Sequence, residues 1–244
     1  MTFALSGAQI AAFSVAALCT LVLPVALLIL LGALKKIRLA PLALGFVSFF
    51  VSQMVLRLPL LQLLTASGAL NAFAAHTVLY AVVVGGLSAG LFEESARLGG
   101  AAILKNNRTW KDMVSFGLGH GLCEVMTVTG MAYLNYLLLA GLDSATLAQL
   151  AAQLAAIGPG LVALALLERV SAVLFHLFAT SLVFTAVIRR RPGWYLAAIA
   201  AHTLFNSVAV LLAGAGMVVT ELALLALGLC GGGYVLAAKR KWPA

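Results

Sequence analysis

Charge is what this chain has least of. Only 9% of its 244 residues are Asp, Glu, Lys or Arg, and seven of those are acidic. A soluble domain carries about 25% charge, so the chain lacks the polar content to surround a separate water-soluble core. Cysteine is scarce as well: Cys19, Cys123 and Cys230 show no paired spacing, which argues against a disulfide framework. No basic stretch precedes the first apolar run. That run ends at Lys35, Lys36 and Arg38, which reads as a stop-transfer anchor and not a cleaved signal. In place of charge, 64% of the residues are hydrophobic and the mean hydropathy is +1.12. The expectation is an all-α, polytopic transmembrane bundle, a single domain over residues 1–244.

The net charge of +8 and a pI near 9.8 invite a nucleic-acid reading, which position argues against. Twelve of the fifteen basic residues fall in four clusters: Lys35, Lys36, Arg38; Lys105, Arg108, Lys111; Arg189, Arg190, Arg191; and Lys239, Arg240, Lys241. Each cluster ends a hydrophobic run, where cytoplasmic positive charge belongs. Trp110, Trp194 and Trp242 sit beside clusters, as an aromatic belt requires. The partner implied is a bilayer with anionic headgroups, and no nucleic acid.

Between the clusters lie seven runs long enough to span, near 9–34, 41–64, 72–104, 113–140, 159–188, 193–213 and 217–237. Their parity puts every cluster on one side, with the N-terminus outside and the C-terminus in the cytoplasm. The segment 143–157 differs: Leu147, Leu150, Leu154 and Ile157 recur at helical spacing opposite Gln149 and Gln153. Counted as a span, it makes eight. Localisation follows as a multi-pass protein of a prokaryotic plasma, or inner, membrane.

Ionisable residues recur deep inside these runs, where each costs at least about 2.5 kcal/mol. With ~1.5 Å of rise per residue from the nearest basic cluster, Glu94 lies ~16 Å deep, and His120 and Glu124 ~13 and ~19 Å. His176 lies ~19 Å deep, and His202 and Asn206 ~16 and ~22 Å. Four helices thus place polar groups in one layer, which calls for a water-containing cavity. His120/Glu124, His202/Asn206 and Glu93/Arg97 are i,i+4 pairs, and Glu94/Arg97 is i,i+3, so each pair shares a helix face. Arg97 is placed to neutralise one of the two carboxylates and leave the other for chemistry. Carboxylates and imidazoles at this spacing suit general-base work.

Four short motifs carry a resemblance: Glu93-Glu94-Ser95-Ala96-Arg97, Phe116-Gly117-Leu118-Gly119-His120, His202-Thr203-Leu204-Phe205-Asn206, and Glu168-Arg169 leading to Phe175-His176. Together with Gly119-His120-Gly121 followed by Glu124, they are similar to the CAAX-protease and bacteriocin-processing superfamily of intramembrane proteases, and most of all to its YhfC branch. The resemblance runs from the third span to the sixth, within a motif-bearing core at 72–213. It implies hydrolysis of a peptide bond in a membrane-bound protein or peptide. Glu93 or Glu94 would activate water, His202 would partner it, and His120 with Asn206 would polarise the substrate. It also implies a second route, in which His120, His176, His202 and Glu94 hold zinc with a position left for water.

Other ionisable residues read as structural. His76 lies at the outer boundary; Glu168 and Arg169 read as interhelical ion-pairing residues, and Arg57 and Glu221 as interface or pairing residues. Cys123 has nothing to orient it as a nucleophile. Two rivals come from other classes: a proton- or ion-coupled transporter or channel, and a catalytically silent binding or immunity protein. A transporter would show repeat symmetry and matched broken helices, which this sequence lacks.

Overall fold

The computed structural model describes residues 5–105, 108–139, 154 and 156–242, and every regular element among them is helical. Seven helices are long and apolar enough to cross a membrane: α1 (Gly7–Ala33), α2 (Leu39–Ala66), α3 (Thr77–Ile103), α4 (Trp110–Leu139), α5 (Pro159–Arg189), α6 (Pro192–Leu211) and α7 (Met217–Lys241). The expected spans recur with ends displaced by at most five residues. The separate helix expected at 143–157 lies outside the described residues apart from its last few.

Local chemistry sets the helix ends. Ser6 and Thr109 form reciprocal capping boxes with Gln9 and Asp112, and Pro159 and Pro192 open their helices. Three helices end on a basic residue in the left-handed region: Lys35 (φ 52°), Lys105 (φ 46°) and Arg190 (φ 51°). Glycine is the usual choice there, but a cation also complements the carbonyl end of the helix.

These ends gather at one pole of the bundle. Arg38 Nη1 donates to Asp112 Oδ1 at 2.9 Å, Trp242 Nε1 to the Arg108 carbonyl at 2.9 Å, and Trp110 Nε1 to the Val235 carbonyl at 3.3 Å. Beneath them Met113, Phe116, Val183, Phe184 and Ala198 form a core against which all three tryptophans pack.

Two features let polar side chains meet at mid-height. Where a Cβ on Gly45 or Gly119 would stand, a backbone carbonyl of the facing helix lies 2.0 Å away: Phe116 O and Leu42 O respectively. Only glycine permits that α2–α4 approach. The first four helices also widen into π-helical stretches, at Leu18–Val22, Phe50–Arg57, Tyr80–Leu87 and Val125–Gly130. Pro24 and Pro59 follow the first two; widening the turn relieves the clash of a proline ring with the carbonyl four residues back. Helix α5 is the most enclosed span, with 61% of its apolar window buried.

Candidate active site

Glu93, Glu94 and Arg97 on α3, His120 on α4, His176 on α5 and His202 on α6 are all buried and converge in the interior. Glu93 and Glu94 are neighbours in sequence but occupy different surroundings. Both oxygens of Glu94 take hydrogen bonds from Arg97 Nη1, at 2.5 and 2.6 Å, and Oε1 also meets His202 Nδ1 at 2.7 Å. An arginine stays charged, so Glu94 is held as a carboxylate. Among the described residues no guanidinium is hydrogen-bonded to Glu93. Its Oε1 accepts from Gln53 Nε2 at 2.8 Å and its Oε2 lies 3.0 Å from His120 Nε2.

The hydrogen-bond partners constrain where each imidazole carries its proton. Ser48 Oγ lies 2.7 Å from the Gly45 carbonyl and 2.9 Å from His120 Nδ1. With the hydroxyl proton on the carbonyl, Ser48 accepts from Nδ1–H and His120 turns a bare Nε2 toward Glu93; with Ser48 donating to Nδ1, Nε2–H donates to Glu93. His202 donates Nδ1–H to Glu94, and its Nε2 lone pair lies 3.6 Å from Glu93 Oε1. His176 is the reverse. Its Nδ1 accepts from Arg97 Nη2 at 3.0 Å, so Nε2 carries the proton and donates it to Glu124 Oε2 at 2.5 Å.

Between His120 Nε2 and Glu93 Oε2, 3.0 Å apart, sits either the imidazole proton or, with Nδ1–H held by Ser48, a place for a metal ion. The donors also have metal-site spacing. Glu93, His120 and His176 each bring one ligand atom to within 4.8 Å of the others. Imidazole ligands that donate their second nitrogen to an oxygen acceptor are a metal-site arrangement, and His120 has it in Ser48 when Nδ1 carries the proton. His176 would join by giving up its hydrogen bond to Arg97 or to Glu124. The residues fit a metal. The group with metal-site spacing is Glu93, His120 and His176; of the other expected ligands, Glu94 is bonded to Arg97 and His202, and His202 to Glu94.

Other expectations fare differently. Glu124 joins the network through His176 and through Arg169 Nη1, which donates to its Oε1 at 2.8 Å; Arg169 also reaches Glu168 at 2.5 Å. Asn206 is exposed and lines a small cavity with Gly85 and Glu168. Among the described residues no hydrogen bond ties it to His120. Cys123 is buried and uninvolved in the hydrogen-bonded cluster, and His76 is exposed at the start of α3.

Sequence reasoning missed the contribution of α2. Ser48 orients His120, and Gln53 binds Glu93. Arg57 Nη1 holds Gln53 Oε1 at 2.9 Å, while its Nη2 takes the Val84 and Gly85 carbonyls of the widened α3 turn at 3.1 and 2.9 Å. The available signal was Gln53/Arg57 at i,i+4 spacing inside an apolar run.

A family model described as YhfC intramembrane metalloprotease matches residues 19–227. The chain belongs to the YhfC family. It is also 34% identical over 157 residues to the uncharacterized membrane protein YhfC of Bacillus subtilis strain 168, an alignment covering 56% of this chain and 58% of that protein. The chain thus spans somewhat over half the length of that curated relative. No solved structure matches. With seven spanning helices, this YhfC-family chain is a multi-pass integral membrane protein.

Proposed function

We propose that this YhfC-family chain is a zinc-dependent intramembrane protease that hydrolyses a peptide bond of a membrane-associated protein or peptide. One observation carries the reading: Glu93, His120 and His176 each bring a ligand atom to within 4.8 Å of the others, beside His202, whose Nδ1 is held by Glu94 and whose Nε2 lies 3.6 Å from Glu93.

Glu93, His120 and His176 would hold the ion. Zinc bound there would supply the Lewis acidity that makes water nucleophilic near neutral pH. His202 Nε2 accepts the proton of the attacking water. Glu94 keeps the His202 tautomer in place and stabilises the imidazolium, while Arg97 keeps Glu94 ionised. The water oxygen bonds to the carbonyl carbon, the C–N bond breaks, and His202 passes its proton to the departing amine. Asn206, one turn along α6 with its side chain uncommitted, binds the substrate carbonyl or the adjacent backbone. Burial keeps bulk water from competing for these hydrogen bonds.

The test is cleavage of membrane-protein-derived peptides by the protein in proteoliposomes, read as new N-termini by mass spectrometry. His202→Ala should lower the rate by about 10²–10⁴-fold with bound zinc unchanged. Glu93→Gln and His120→Ala should lose both cleavage and zinc. Equal rates for wild type and His202→Ala would remove the proton-transfer role, and zinc retained in both of the other variants would remove the ligand set.

A further inference from the structure

Two adjoining cavities lie between α4, α5, α6 and α7, at the end of the bundle away from the basic clusters. The larger, about 500 Å³, is walled by Ile157, Leu161 and Met217, with Glu168, Thr220, Glu221 and Tyr133 facing in. The smaller, about 280 Å³, shares Glu168 and Ala209 with it and reaches Asn206, one turn from His202. Sharing that wall, they make a passage from this end of the bundle as far as Asn206.

The polar lining of this passage is almost wholly made of acceptors. Glu221 is 8% exposed, and its Oε2 has no hydrogen-bond partner among the described residues. A buried carboxylate oxygen left unmet is costly unless the group takes up a proton or a ligand supplies the donor. Glu168 has one oxygen taken by Arg169, whose other guanidinium nitrogen is spent on Glu124. Thr220 commits its hydroxyl proton to the Gly216 and Leu212 carbonyls, so it too offers only lone pairs. Among the described residues that line the larger cavity, Tyr133 is the side chain with a proton to give. Twelve of the fifteen Lys and Arg residues stand at the opposite pole, and Arg169 is engaged.

We infer that this passage is a substrate subsite for a lysine or arginine side chain. The apolar wall suits an aliphatic stem and the two glutamates its cationic head. A bare metal ion fits less well, because Glu168 and Glu221 join no metal-spaced group of His, Cys, Asp or Glu among the described residues. The inference deepens the proteolytic reading and rests on it for the identity of the ligand as a substrate.

The probe is n-pentylammonium, with 1-pentanol and calcium chloride as controls, added to the purified protein in micelles while thermal unfolding is followed. Pentylammonium should stabilise wild type and His202→Ala alike, bind about tenfold more weakly to Glu221→Gln, and have no effect on Glu221→Lys, which carries its own cation into the cavity. Equal stabilisation by pentanol, undiminished binding to both Glu221 variants, or a response to calcium alone would overturn the subsite. In the peptide-pool assay, cuts should fall at a fixed distance from Lys or Arg. Glu221→Gln should lose that preference and keep cleavage of neutral peptides. Cleavage without any basic preference defeats the subsite alone; pentylammonium binding by a wild type that cleaves nothing defeats the proteolytic reading alone.

Discussion

Removing Arg97 would leave Glu94 as a buried carboxylate without its countercharge and His176 Nδ1 without a donor. Breaking one side of a buried pair costs about 3–5 kcal/mol, whereas replacing both sides with apolar groups is often near neutral. Arg97→Ala should therefore lower unfolding stability in micelles by about that amount. The double change Arg97→Met with Glu94→Leu should recover much of the stability and none of the activity. Equal stability of Arg97→Ala and wild type would mean the pair does not hold the site together. Both residues were legible as an i,i+3 pair, yet spacing alone left either glutamate as partner. Side-chain direction from neighbouring α3 positions decided it, sending Glu94 to Arg97 and His202 and Glu93 to α2 and α4.

Helix α2 acts as the backing plate for the site, and its closeness to α4 comes from Gly45 and Gly119. A Cβ at either would meet a carbonyl at 2.0 Å, so the helices must separate to admit it. Gly119→Ala should cost about 1–3 kcal/mol, the usual overpacking penalty, and should reduce activity further by drawing His120 away from Ser48 and Glu93. A Gly119→Ala protein with unchanged stability and cleavage would refute that coupling. The same element shows why α2 escaped sequence reading. Serine and glutamine are common packing groups in membrane helices, and nothing along the chain says that Ser48 and Gln53 face a histidine and a glutamate.

For the molecule as a whole, the basic residues at one pole and the glutamate-lined cavities at the other define a polar axis through the bundle. From the positive-inside rule we propose that the basic pole is the cytoplasmic one. A cysteine introduced as Arg190→Cys should react with a membrane-impermeant maleimide in inverted vesicles and stay unlabelled in intact cells. Labelling in intact cells would reverse the topology and place the acidic passage on the cytoplasmic side.

Composition alone determined that this chain lives in a membrane as seven helices, because too few charges exist to face water and apolar runs of spanning length exist to face lipid. Intrahelical spacing further determined which polar residues share a face. What only the tertiary structure decided is which face meets which. That choice set Glu93 apart from Glu94, constrained the imidazole protons, and recruited Ser48, Gln53 and Arg57 from a helix without recognisable motifs. The physical reason is that a buried polar group must find its partner across helices, and a linear pattern records the need for a partner without recording who supplies it.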